Sequence, residues 1–258
     1  MIAAYDALVP GSLALAAVAL VPGLAIGSFL NVVAARVPLK RSIVSPGSAC
    51  MGCGHEVAWY DNLPVVSYLL LRGRCRGCGA RIGWVYPAVE IVTALLIAAC
   101  FLAFGWSGTS FVAAFFCAVL VTISATDLSH RIVPNVIVLP ATAVVLVAQT
   151  ALEPSLEWLL AALGASFFLL VAALAYPKGM GMGDVKLALL LGAMLGRTVP
   201  VGLMLGMLAA LVPSAVLLAR HGSAARKMTI PFAPFLAFGA IVALFFGDRL
   251  LDAYLSLI

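Results

Sequence analysis

Charge is what this sequence has least of. Only 10% of its 258 residues are Asp, Glu, Lys or Arg, against 64% that are hydrophobic, and the mean hydropathy is +1.17. A soluble domain carries roughly 25% charged residues, so a soluble fold of this size would lack the polar surface to cover its core. Lipid is therefore the solvent for most of the chain. The apolar stretches also lack the polar–apolar alternation of membrane strands, which excludes a β-barrel. Ahead of the first apolar stretch there is Asp6 but no Lys or Arg. A secretory leader starts with basic residues, so this segment is expected to be a membrane span rather than a signal peptide. Internal repeats and low-complexity tracts are absent as well.

The apolar stretches are what remains. A helix needs about 20 apolar residues to cross the hydrocarbon layer, and candidate spans lie at 11–35, 88–104, 110–126, 132–149, 156–176, 185–197, 199–219 and 230–247. The predicted fold is an all-α, polytopic membrane helix bundle of about eight spans. It comprises a first span (1–35), a small four-cysteine zinc-binding loop domain (36–86) and a helical domain (87–258). The stretch 187–219 is too long for one crossing and short for two; Gly196, Arg197 and Pro200 supply the turn that divides it. With the N-terminus outside and eight crossings, every basic residue except Arg197 and Arg249 falls on the cytoplasmic side, while the acidic residues divide evenly. Lys and Arg set orientation, so the net charge of +5 reads as topology and a rim facing membrane lipid, not as a nucleic-acid surface.

The loop domain carries Cys50-Met51-Gly52-Cys53 and Cys75-Arg76-Gly77-Cys78, two pairs separated by 21 residues and each followed by a glycine, Gly54 and Gly79. Four thiolates at this spacing suit a tetrahedral Zn2+ without an open position, hence a structural metal. Two disulfides are the alternative, and a reducing cytoplasm disfavours them. His55 reads as a surface residue, and Cys100 and Cys117 as packing residues within spans.

Acidic residues within spans are costly and so mark function. Glu90, Asp127 and Asp184 lie at or inside span ends on the cytoplasmic side. Asp127 and Asp184 share one depth, and two carboxyls around one water do not both ionise cheaply, so the pair offers a general acid and a general base. Capping of a helix start, or pairing with Arg131 or Lys186, is the structural alternative for these aspartates. Gly179, Gly181 and Gly183 leave the backbone beside Asp184 bare, open to an extended peptide. A dinucleotide loop is excluded, because this glycine run follows a membrane helix and not a strand.

These motifs together resemble type IV prepilin peptidases over nearly the whole chain. Gly27-Ser28-Phe29-Leu30-Asn31-Val32-Val33 with Arg36-Val37-Pro38 is similar to the family's first-span signature. The paired cysteines, Trp59-Tyr60-Asp61-Asn62-Leu63-Pro64-Val65 and Ser67-Tyr68-Leu69-Leu70-Leu71-Arg72-Gly73-Arg74-Cys75 resemble its cytoplasmic loop. Tyr86-Pro87 with Glu90 resembles its second-span start, and Gly181-Met182-Gly183-Asp184 its Gly-x-Gly-Asp element. Ser129-His130-Arg131 departs from the more acidic or amide-rich stretch common in the family. The resemblance implies a multi-pass protein of the bacterial inner membrane that cleaves the short basic leader of type IV prepilins or pseudopilins at the cytoplasmic face. It also implies methylation of the new N-terminus from S-adenosylmethionine. The resemblance carries catalysis onto Asp127 and Asp184 and zinc ligation onto Cys50, Cys53, Cys75 and Cys78; Glu90, Gly181, Gly183 and Lys186 are candidate substrate contacts by their position beside these groups or within a span. No positions for the methyl donor carry over. An ion transporter would explain the acids but not the cysteines, a scaffold the cysteines but not the acids, and a preflagellin peptidase usually lacks the loop.

Overall fold

A computed structural model describes residues 11–176, 180–222 and 230–256. Asp6 and Gly179, named above, lie outside the described residues, as do the basic residues Lys178, Arg226 and Lys227 that were counted on the cytoplasmic side. The chain is helical, with helices α1 (Ser12–Arg36), α2 (Val66–Leu70), α3 (Val85–Phe104), α4 (Gly108–His130), α5 (Asn135–Leu152), α6 (Glu157–Ala175), α7 (Met182–Leu195), α8 (Val199–His221) and α9 (Ala233–Leu255). Among the described residues seven segments are long and apolar enough to cross a membrane, one being the 40-residue stretch Met182–His221. That stretch is broken where the sequence suggested: Gly196 takes φ +53°, open to glycine at little cost, and a single 3₁₀ turn (Gly196–Thr198) separates α7 from α8. The protein is a multi-pass membrane protein.

Contacts divide the chain into two compact units that meet in sequence between Ala125 and Thr126, within α4. In the first unit α1 and α3 pack along Gly23 and Gly27, a small-xxx-small stripe that lets helices approach closely in lipid. A β-carbon at Gly23 would sit 2.7 Å from the Ala94 Cα, and one at Gly27 2.6 Å from the Glu90 Cα. Gly27 of the first-span signature is thus a packing residue. Replacing it by Val should destabilise the α1–α3 pair by about 1–3 kcal/mol, read as a lower unfolding temperature in detergent; an unchanged temperature would refute the contact. Asn31 Nδ2 donates to the Tyr86 carbonyl (3.0 Å), tying the same helices near the loop. Arg36 organises the loop's first strand of chain by donating to the carbonyls of Ser42 (3.1 Å) and Gly47 (2.9 Å). Cys100 and Cys117 are fully buried in this unit, as packing residues.

In the second unit α7 is the central helix. Its side chains from Asp184 to Leu195 are buried or half-buried all round, which is why it can be apolar on every face. At 14 residues it is about 21 Å long, short for a span bathed in lipid but adequate inside a bundle. α6 runs antiparallel to it: Ser166 Oγ donates to the Val185 carbonyl (3.0 Å), while Gly192 abuts Ala161 and Ala162. α5 runs parallel, with Lys186 Nζ on Asn135 Oδ1 (2.9 Å) at one end and Gln149 Nε2 on the Met194 carbonyl (3.2 Å) at the other. α8 returns antiparallel along α9, with Gly202 near Ala240 and Ala243 and Gly206 near Leu236. The far end is closed by Arg197, which pairs with Asp248 (2.9 Å) and gives its N–H to Glu157 (2.7 Å).

Candidate active site and metal centre

Asp127 and Asp184 come together in the second unit at the end opposite the Arg197–Asp248 pair. Asp127 lies in the last turn of α4 and Asp184 in the first turn of α7, and both are buried, 7% and 8% exposed. Asp184 lies within electrostatic reach of Asp127. Asp127 Oδ2 accepts the N–H of Ala233 (3.1 Å), the first residue of α9, and a second backbone donor is Phe232. Asp184 reaches back to the backbone of Gly181, a helix-start contact of the kind weighed above. The aspartates therefore stand at the positive ends of α9 and α7, and Arg131 is within electrostatic reach of Asp127.

The glycines beside Asp184 have different surroundings. A β-carbon at Gly183 would meet the Val133 side chain at 2.9 Å, so bareness there seats the chain that follows α4 against α7. At Gly181 the nearest atom to such a β-carbon is Asp184 Oδ2 at 3.7 Å, which leaves this backbone open beside the carboxyl. Lys186 points to Asn135, not to an aspartate. Ala233 and Phe232 escaped the sequence reading. Their signal is the run Pro231-Phe232-Ala233-Pro234, since Pro in the first turn marks a helix start.

Glu90 belongs to the first unit. It is 8% exposed, and its Oε2 accepts the N–H of Val65 at 2.8 Å, with Ser28 as a further hydrogen-bond partner. Val65 has φ 59° and ψ −46°, a conformation that β-branched residues almost never adopt. The carboxylate thus holds a strained turn of the loop. Removing it in Glu90→Ala would orphan that donor, a loss of about 1–3 kcal/mol. Amide exchange around Val65 should quicken about tenfold or more, and far less in Glu90→Gln; equal protection in the Ala variant would sink this assignment.

The four loop cysteines are free thiols whose Sγ atoms all lie within 4.8 Å of one another, a cluster that could hold a metal ion. Two turns of one design present them. Cys50 N–H bonds the His55 carbonyl (2.9 Å) and Gly54 N–H returns to Cys50 (2.9 Å). Cys75 N–H bonds Ala80 (2.8 Å) and Gly79 N–H returns to Cys75 (2.9 Å). Gly54 and Gly79 both have φ +71°, the reason glycine follows each pair. Cys50 and Cys78 Sγ stand 3.8 Å apart, the edge of a tetrahedron with metal–sulfur bonds of about 2.3 Å. N–H groups of Gly52 and Cys53 aimed at the Cys50 sulfur lower its pKa to about 6. Cys78, although the Ala80 N–H favours its thiolate, is pushed up to about 11 by the neighbouring sulfurs and by burial. Four thiolates cannot share this space without a cation, and the donor set fits one. Arg76, inside the second pair, makes a bidentate bond to Asp61 (2.6 and 2.7 Å) and lies over the Tyr60 ring, so the turn is fastened to the Trp59–Asn62 segment. That bond holds the Asp61 carboxyl below the usual range.

Comparison with known proteins gives the lineage. The model for the bacterial peptidase A24 N-terminal domain matches residues 21–104, and that for the type IV leader peptidase family matches residues 114–246. The chain belongs to the type IV leader peptidase family. Among its family relatives is the prepilin leader peptidase/N-methyltransferase of Bacillus subtilis, 34% identical across 91% of this chain and 96% of that protein. The protein of the same name from Pseudomonas aeruginosa is 34% identical across 91% of both. The Myxococcus xanthus one is 39% identical over 71% of this chain and 57% of its own length. No solved structure matches this family member.

Proposed function

We propose that this protein removes the leader peptide of type IV prepilins and then methylates the new amino terminus, with Asp127 and Asp184 as the peptide-cleaving pair. The observation that carries the catalytic reading is the meeting of two buried carboxyls from distant parts of the sequence, in a chain of this family. One shared proton suits them: the pair then carries a single negative charge, and the positive ends of α7 and α9 stabilise it. A water held between the carboxyls gives a proton to the ionised one as its oxygen attacks the scissile carbonyl. The protonated partner donates to the carbonyl oxygen, and the leaving amine later takes a proton from the pair. Gly181 leaves backbone open beside Asp184, where an extended leader could lie. The site faces the cytoplasm of an inner-membrane protein in this reading, because Arg131 and Lys186 flank its end of the bundle. The cysteine cluster holds a structural Zn2+. Pseudopilins, which present the same leader chemistry, are the alternative substrates.

Methylation makes a smaller chemical demand. An α-amino group of pKa about 7.7–8.0 is partly neutral near pH 7.5, so no aspartate is needed to deprotonate it, and the task is to hold amine and S-adenosylmethionine in line. Purified protein in detergent, given a prepilin and methyl-labelled donor, should shorten the substrate and label its new N-terminus. Asp127→Ala and Asp184→Ala proteins should still label a pilin supplied already cleaved, and disruption of residues 36–86 should impair labelling more than cleavage. Loss of labelling in a folded aspartate variant would mean one shared site.

A further inference from the structure

The segment between the Trp59–Asn62 turn and the second cysteine pair is built inside out for a soluble loop. In α2 the apolar residues at i, i+3 and i+4 point outward: Val66, Leu69 and Leu70 are 50%, 68% and 77% exposed, and Leu63 before them is exposed too. The polar member, Ser67, is the buried one, accepting the N–H of Leu63 (3.1 Å) and donating to the Tyr60 carbonyl (2.8 Å). Backbone groups are paired internally as well, with Leu69 N–H on Val65, Leu71 N–H on Ser67 and Gly73 N–H on Tyr68. Such a segment is satisfied without water on its apolar side.

Its depth follows from Glu90. The carboxylate that holds the Val65 N–H is five residues past the start of α3, about 7.5 Å along the axis. Its other partner, Ser28, is eight residues before the end of α1, about 12 Å inside it. α3 has 20 residues, about 30 Å, which the hydrocarbon layer requires in full. With α3 crossing from Val85, Val65 is held at about the depth of the Glu90 carboxylate, and α2 starts from there. Exposed Trp84 and Tyr86 at the head of α3 are side chains typical of the lipid–water boundary. Just beyond α2 the loop turns cationic. Arg74 and Arg81 face each other across an antiparallel bridge, both exposed, and neither is in an ion pair among the described residues. Like charges placed directly opposite repel unless an anion lies between them.

We propose that α2 is a re-entrant, membrane-inserted element. Leu63, Val66, Leu69 and Leu70 lie among the acyl chains, and Arg74 and Arg81 clamp the phosphate of an anionic phospholipid. The four-cysteine module is thereby seated on the bilayer instead of hanging from two tethers. The inference uses the membrane crossing of α1 and α3 and is independent of the reaction.

The test uses the full chain in nanodiscs of phosphatidylcholine with or without phosphatidylglycerol. A photoreactive p-benzoylphenylalanine replaces Leu69 or, in a second variant, Met51, which is 94% exposed at the first cysteine turn. After illumination, mass spectrometry should find phospholipid adducts at position 69 at least about tenfold above those at 51. Arg74→Gln with Arg81→Gln should cut retained phosphatidylglycerol about 30-fold, two interfacial arginines being removed. No lipid adduct at 69 in monodisperse protein, or adducts to a second copy, would overturn the insertion. Equal phosphatidylglycerol retention with and without the arginines would overturn the clamp.

Discussion

Asn at position 127 or 184 is expected to lower leader cleavage by at least about 10²–10⁴-fold, the range for loss of one general acid–base group. Asn is the informative replacement. Its carbonyl oxygen can still accept the Ala233 N–H, now 3.1 Å from Asp127, and at 184 it can still meet Gly181. The helix ends therefore stay capped while the exchangeable proton is gone. Residues that act as one unit are not additive, so the double variant should be no slower than either single one. If the aspartates merely held α4, α7 and α9 together, Asn would leave cleavage nearly intact and the losses would multiply. Rates on a purified prepilin, with melting temperatures of the same preparations, decide between these outcomes.

The second large effect concerns the metal. Purified protein should contain about one zinc per chain, and Cys50→Ser, Cys53→Ser, Cys75→Ser or Cys78→Ser should each reduce it close to zero. A module of some 50 residues buries little core of its own, and structural zinc of this type supplies apparent binding energies of about 10–16 kcal/mol. Without it, residues 36–86 should become open to protease, whereas the unit from Thr126 onward keeps its fold. Cleavage of prepilin should persist in part. Metal analysis and limited proteolysis in strong chelator give the readout, and a chelated loop as resistant as the native one would refute a structural zinc.

Much of this was legible because it is local. Continuous apolar runs give the spans, and Gly196 with Pro200 gives the break between α7 and α8. The Cys-x-x-Cys-Gly pattern gives twin turns, since glycine alone takes φ +71° readily. Other features join positions too far apart to leave a periodic mark. The Val65–Glu90 bond spans 25 residues and the Ala233–Asp127 bond 106. Glu90 carried the signal of a charge in a span, but the signal does not say that its partner is a backbone N–H. Gly183 shows the converse: bareness suggested an approaching peptide, and the Val133 side chain occupies that side. α7 begins at Met182, three residues ahead of the apolar stretch 185–197, because the buried Asp184 belongs to its first turn.

The burial of α7 bears on how the protein tolerates change. A helix with one lipid face accepts exchanges among Leu, Ile, Val and Phe along that face, because hydrocarbon imposes no shape. α1 is such a helix, with Leu13, Val18, Val21, Ile26 and Phe29 exposed. α7 has no such face, and a β-carbon at Gly192 would run into the backbone of Ala161 and Ala162. A saturation library selected for leader cleavage should therefore return α1 richly diversified and α7 nearly invariant, at apolar positions as strictly as at Asp184.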